Sequence, residues 1–481
     1  MMDQNYLTED LLSDEEVELI HKASMELLEE TGVVIHNEEA REVFRDNGAR
    51  VEGETVFLSS GLVENYLEEV PSNFTVHARN PDNDVEIGTG AGVLAPGYGA
   101  PWVTDMDGNN RDATYRDYEN FTKLAQASDN LDLLGGVLVE PTDLADEERH
   151  VKMMYAAAKY SDKPLMGSAL GEKKARQAIK MASLVMGEDE IISDHPIVIS
   201  LISTTSPLSY DNRMLGALME HARFNQPVII ASLIMAGSTG PVTIAGAITL
   251  QNAEVLTGIV LAQMINPGTP VVYGSASTIV DMNTGDLAVG GPEFAKLVGA
   301  TAQLARHYAV PCRGGGSITD SLLVDAQAGY ESMMTFNASM SHGMDIVIHS
   351  AGMLKNYMAM SYEKFVLDDE ILDMVSNYQE GIEVTEEAIA KEAIKNVGHG
   401  GHYLKHPSTL ERMKDFRVPS LSNRKGFDYG EGLKPTIERA HELYKSLLDD
   451  FEPPPLDPKI DEKLREYMET RRKFTNGDLI S

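Results

Sequence analysis

A single cysteine, Cys312, stands in 481 residues. One thiol excludes an intrachain disulfide framework and a multi-cysteine metal site, and it suits a reducing cytoplasm. Basic residues are also scarce: 40 Lys and Arg against 75 Asp and Glu, a formal net charge of -35. A surface of that sign repels nucleic acid and anionic membranes, which are bound through basic patches. It favours cationic ligands, although charge of this kind bears first on solubility. The acidic start, MMDQNYLTEDLLSDEE, has neither the basic nor the apolar region of a signal peptide. No apolar run approaches the roughly 18 residues of a membrane span. The expectation is a soluble, cytoplasmic protein.

What is present is a rhythm. Hydrophobic residues make up 42% of the chain, ample for a large core. Short apolar, β-branched runs fall at 92–95, 133–139, 164–168, 196–202, 227–233, 270–274, 310–314 and 345–349, several entered through a proline. Between them lie stretches with helical periodicity, as at 147–160, 172–186 and 292–308. Strands that are apolar throughout belong to a parallel sheet covered by helices. Eight such units predict a (β/α)8 barrel over 91–350, with an open doubly wound sheet as the competitor. Residues 1–90 read as a helical and β segment: Ser13 and Glu16 form a capping box, Gly32 supplies a helix stop, and a second helix covers 38–46. Residues 351–481 read as a helical extension with a proline-rich break at 453–455.

The stretch 310–349 is the most informative. It predicts strand, glycine-rich loop, helix and strand, with Arg313 where the first strand runs out and His349 where the second does. In a barrel, the loops following the strands build the active site at one face. Here those loops are rich in glycine and hydroxyl groups, with few ionisable side chains and some aromatics.

The runs QNAEVLTGIVLAQMINPGTPVVYG, VPCRGGGSITDSLLVDAQAGYES and HSAGMLKNYMAMSYEKFVLDDE resemble the trimethylamine methyltransferase family. So does FTVHARNPDNDVEIG followed by VTDMDGNNRDATYRD. The resemblance covers about residues 10 to 450. It implies a (β/α)8 barrel that moves a methyl group from an amine to the Co(I) of a partner corrinoid protein. The trimethylamine enzymes of the family carry pyrrolysine in the barrel mouth. Residues 317–330 contain no lysine, and the sequence has no nonstandard residue. That departure points to the non-pyrrolysine branch, with glycine betaine as the expected substrate and proline betaine, carnitine, butyrobetaine or another methylamine as alternatives. A quaternary ammonium leaves as a neutral tertiary amine, so it needs neither a proton donor nor a zinc ion. Positioning and desolvation are then the protein's task. No DxHxxG run is present, so the corrinoid is expected on the partner, and no metal on this chain. A betaine-binding protein without catalysis would instead bring an export signal and a two-lobed fold. Exposed helical faces point to a homo-oligomer.

On this reading Tyr98, Trp102 and Tyr357 are candidates for an aromatic cage around the ammonium, with Tyr210 a weaker one. Arg313 and His349 are candidates for the carboxylate; an internal salt bridge to Asp320 or Glu254 is the structural alternative for Arg313. Glu254, in an apolar helix, is a substrate-binding candidate that reads more readily as a buried structural anion. Gly314, Gly315, Gly316 and Asp320 are expected to face the corrinoid, the glycines by allowing close approach. His399, His402 and His406 lack metal-ligand spacing and read as a turn.

Overall fold

The computed structural model describes residues 10–424 and 434–474. The first nine residues, part of the stretch read as free of a signal pattern, lie outside the described residues. Eight strands form one parallel sheet: β1 (Val93–Leu94), β2 (Leu134–Gly135), β3 (Leu165–Met166), β4 (Val198–Ser203), β5 (Val228–Ser232), β6 (Val271–Ser275), β7 (Cys312–Gly315) and β8 (Ile346–Ile348). The ladder runs continuously from β2 to β8 and on to β1. The two edges meet where the backbone N–H groups of Asp132 and Leu133 donate to the Leu94 carbonyl, and again at the Ala100–Val139 bridge. The sheet is therefore a (β/α)8 barrel, and each predicted apolar run overlaps one of its strands.

Inward-facing side chains fill the barrel: Val93, Leu133, Met166, Ile199, Ile229, Val272, Ile346 and Ile348 form one buried cluster. A hairpin, Phe74–Val76 against Val85–Ile87, adds its apolar residues to that cluster and plugs the end where the strands begin. Its His77 N–H donates to the carbonyl of Pro196, just ahead of β4. The opposite end carries two small sheets built from loops. One joins the loops after β1 and β8 (Trp102–Thr104, Asn110–Asp112, Met353–Leu354, Ala359–Met360), and the other those after β5 and β6 (Met235–Ala236, Thr278–Val280, Leu287–Ala288).

The N-terminal segment is not a separate body. Val17, Leu28, Val33 and Phe44 share one continuous core with Ile230, Tyr273 and Leu297 of the barrel. Its task is to cover the helix Ile244–Ile265, which is buried over most of its surface. That helix is long and apolar enough by composition to cross a membrane, although QNAE interrupts its apolar run. It is apolar on all sides because it is enclosed on all sides. Its polar residues are satisfied internally: Asn252 donates to Ser24 Oγ at 3.0 Å and Tyr308 Oη at 2.8 Å and accepts from Tyr273 Oη at 2.9 Å.

Beyond β8, the helix Tyr362–Gln379 descends from the loop end of the barrel. Its start is fixed by Tyr362 Oη donating to Asp117, and its last residue, Gln379, bonds Ser341 at the foot of the preceding helix. The chain returns as the helix Thr436–Asp449 alongside it, and a final helix, Pro458–Phe474, buries Leu464 among the helices Asp146–Tyr160 and Glu172–Val185.

Candidate functional site

Strand register decides where Arg313 points. It pairs with Gly274 of β6 and Ile346 of β8, and Ile346 belongs to the barrel interior. Arg313 is 1% exposed. Its Nη1 donates to the Ser275 carbonyl at 2.6 Å, and its Nε is buried with no partner among the described residues. Among the described residues no carboxylate lies within ion-pair distance of it, so neither Asp320 nor Glu254 neutralises it. Burial lowers its pKa to about 10, with the phenols of Tyr357 and Tyr98 opposing. It remains a cation at neutral pH.

Three rings stand around this cation. The His349 ring lies 4.7 Å from that of Tyr357 and 6.5 Å, edge-on, from that of Tyr98. Burial first, then the Arg313 charge, hold the His349 pKa well below its ordinary value. The imidazole is therefore neutral. Burial raises both phenols, Tyr98 to about 12, so both keep their protons. Among the described residues, His349 Nδ1 and Tyr357 Oη are buried without partners, as are Ser317 Oγ and Asn356 Oδ1 in the same two loops. Buried polar groups are normally paired. Here five unsatisfied atoms come from β7, β8 and the loops that follow them.

The backbone is strained at the same place. His349 has φ 66°, and Lys355, Asn356 and Tyr357 follow with φ 55°, 55° and 72°. Left-handed conformations at non-glycine residues cost of order 1–3 kcal/mol each and gather at ligand sites. Cross-loop hydrogen bonds hold them: Lys355 N–H donates to the Ser321 carbonyl at 3.2 Å and Asn356 N–H to that of Thr319 at 3.3 Å. Beneath them Lys364 and Asp368 form a fully buried ion pair. Lys364 also donates to Ser332 Oγ at 2.9 Å, and Asp368 accepts from Gly352 N–H at 2.7 Å. Glu331 braces the β7 loop by accepting from Thr319 Oγ1 at 2.6 Å and Asp320 N–H at 2.9 Å.

The other predicted residues fall elsewhere. Trp102 lies on the loop sheet, 37% exposed, and among the described residues no ring contact joins it to the cluster. Tyr210 is core: its Oη donates to the Glu254 carbonyl at 2.8 Å. Both oxygens of the Glu254 carboxylate are engaged, accepting from Thr204 Oγ1 (2.5 Å), Ser206 Oγ (2.8 Å), Ser232 Oγ (2.7 Å) and Leu208 N–H (2.8 Å). It clamps the β4 loop, and its complete burial keeps it from a substrate. The three glycines do not leave room for a corrinoid. A Cβ at Gly316 would lie 2.6 Å from Ser350 Cα, one at Gly315 2.5 Å from Ile318 Cδ1, and one at Gly314 3.0 Å from Met344 Cε. Their smallness serves internal packing. Asp320 accepts from Val289 N–H at 2.7 Å, and burial raises its pKa. His399 and His402 are exposed, and His406 accepts from Ser408 N–H to cap a short helix.

Sequence reasoning missed Ser317, Asn356, Lys364, Asp368 and Glu331. The first two carried a signal, polar residues just beyond β7 and β8. Lys364 and Asp368 showed i,i+4 spacing, which reads as a solvated pair until burial is known.

A (β/α)8 barrel with an unneutralised cation and neutral rings at its loop end has the build of an enzyme that orients a small anionic or zwitterionic substrate. The chain belongs to the trimethylamine methyltransferase family, whose model matches residues 1–475. It is 49% identical over 465 residues to a glycine betaine methyltransferase of Desulfitobacterium hafniense (strain Y51), covering 96% of this chain and 97% of that protein. It is 33% identical over 464 residues to a trimethylamine methyltransferase of Desulfitobacterium hafniense (strain DSM 10664 / DCB-2), covering 95% and 93%. It is 32% identical over 479 residues to a proline betaine:corrinoid methyltransferase of Eubacterium limosum, covering 96% and 98%. This protein is a methyltransferase.

Proposed function

We propose that this enzyme transfers a methyl group from glycine betaine to the Co(I) of a corrinoid carried by a partner protein in the cytoplasm. The observation that carries the reading is Arg313, a buried guanidinium with no carboxylate of its own. An isolated buried charge costs several kcal/mol, and a substrate carboxylate would offset that cost through a bidentate pair. His349 Nδ1, Tyr357 Oη and Ser317 Oγ lie in the same loops and can complete the carboxylate's hydrogen bonds. The ring faces of Tyr98, Tyr357 and neutral His349 suit a trimethylammonium group, each contact worth roughly 0.5–2 kcal/mol.

The residues fit a cofactor that arrives from outside. The exposed large hydrophobic residues include Trp102, Leu170, Val242, Met282, Leu322 and Met358, which rim the mouth on loops after β1, β3, β5, β6, β7 and β8. An apolar rim around a site marks a surface for a docked protein. The corrinoid, once docked, supplies a nucleophilic metal that accepts the methyl carbon. This chain's residues bind the carboxylate, aim one methyl outward and keep water from the reacting centre. No residue moves a proton, because the amine leaves neutral.

The test is spectroscopic: methylation of Co(I) cobalamin with glycine betaine, proline betaine, carnitine and trimethylamine as donors. Glycine betaine is expected to give the highest kcat/KM, and His349→Ala to lower it. Turnover of trimethylamine but no betaine would sink the proposal. Saturable betaine binding without methyl transfer would favour a binding protein.

A further inference from the structure

The exposed apolar residues outside the mouth concentrate in one place, the excursion between the helices Tyr362–Gln379 and Thr436–Asp449. Ile382 is 89% exposed and Val418 84%, and Val384, Leu404, Leu410 and Phe416 are also open to solvent. The segment's two short helices, Lys391–Val397 and Pro407–Arg412, bury almost nothing. A patch of this kind on a soluble chain marks an interaction surface.

We propose that this patch is the contact between two copies of this chain. Three observations choose that occupant. The first is charge: between 380 and 418, seven acidic side chains face six basic ones, near neutrality in a chain of net charge -35. Two copies of so acidic a protein repel, so contact is least opposed where the charge balances. The second is position. The helix Tyr362–Gln379 begins at the loop end of the barrel and finishes beside Ser341 at the other end, about 27 Å away at 1.5 Å per residue. The excursion leaves from that far end and rejoins the helix where Arg417 pairs with Asp373, below its midpoint, so a corrinoid protein seated on it would hold its cofactor away from the mouth. The third is shape: a cleft of about 530 Å³ has Ala393, Met413 and Phe416 among its apolar lining, and four glutamates with Lys391 and Arg412 among its charged lining. It is large enough to receive an apolar side chain from the facing copy. A self-complementary apolar patch with a charged rim is the build of a two-fold interface.

The proposal does not rest on methyl transfer. It is tested by sedimentation of the full chain at micromolar concentration, beside Val384→Asp/Phe416→Asp. The wild type is expected at a multiple of 52.6 kDa and the double variant at the monomer mass, with unchanged circular dichroism. A monomeric wild type, or a variant that keeps the wild-type mass, overturns the proposal. If the variant aggregates, hydrogen exchange on the wild type decides: protection of 382–418 should fall on dilution. Protection independent of concentration, or gained only on adding the corrinoid protein, overturns it too.

Discussion

A guanidinium held inside a barrel by one backbone carbonyl is costly to the folded protein, and its removal should separate stability from function. Arg313→Gln is expected to lower kcat/KM for glycine betaine by roughly 10- to 100-fold, since a hydrogen bond to a charged group is worth about 1.5–3 kcal/mol. Methyl transfer from tetramethylammonium, which has no carboxylate, should not fall. The free variant should melt no lower than the wild type, because replacing an unpaired buried charge is neutral or stabilising. An equal loss with both donors would remove Arg313 from carboxylate binding. His349 gives a pH signature. Its native pKa is depressed, so below the ordinary value near 6.5 the unfolded chain binds a proton that the native chain does not. Stability is therefore expected to fall as pH drops from 7 to 5, and by less in His349→Gln, as read by urea unfolding. Tyr357 and His349 were legible because each follows a strand; Arg313, expected where β7 runs out, is instead its second residue, and the register of that strand is what turns it into the barrel. Tyr98 shared that signal, and so did Trp102. What divides them is that Trp102 entered a loop sheet, and nothing in the sequence announces that pairing.

At the scale of elements, two carboxylates fasten segments that carry no chemistry. Glu254 lies fully buried under four donors, three of them hydroxyls. Glu254→Ala strands those donors and is expected to cost about 3 kcal/mol or more, measured as a lower unfolding midpoint. Glu370 clasps the return of the C-terminal chain, accepting from Ser420 N–H at 3.0 Å, Ser420 Oγ at 2.8 Å and Leu421 N–H at 3.2 Å. Burial pushes its pKa up, but these bonds and those from Ser422 outweigh it and bring it down to about 2. A depressed carboxylate stabilises fully above its unfolded value near 4.5 and loses that contribution as pH falls towards 2. The return segment around Ser420–Ser422 should accordingly become open to an acid protease below about pH 4, and in Glu370→Gln already at higher pH. The barrel strands and their helices could be read from the sequence because burial on both faces writes an unbroken apolar run. The loop sheets could not, since strands of two or three residues leave no period. The glycines of β7 misled for a related reason: a requirement for smallness reads the same whether a ligand or Ser350 presses on the backbone.

The whole molecule divides its exposed apolar surface between two ends, and the division makes the mouth testable as a docking site. A corrinoid protein must bind, accept a methyl group and leave, so its contact has to be modest in area and quick to release. The rim suits that, a broken ring of single residues on separate loops rather than a continuous face. Met282 is the most exposed of them, at 75%, on the turn between Thr278–Val280 and Leu287–Ala288, away from the Arg313 cluster. Met282→Asp with Leu322→Asp adds two negative charges to the rim and removes two apolar anchors. The expected outcome is a 10-fold or greater rise in KM for the corrinoid protein. The KM for glycine betaine should not move, and neither should the rate with free Co(I) cobalamin, which needs no docking surface. The two cosubstrates therefore act as internal controls: a loss with free cobalamin would mean that the variant has damaged the betaine site. A normal KM for the corrinoid protein would mean that it approaches over some other part of the mouth.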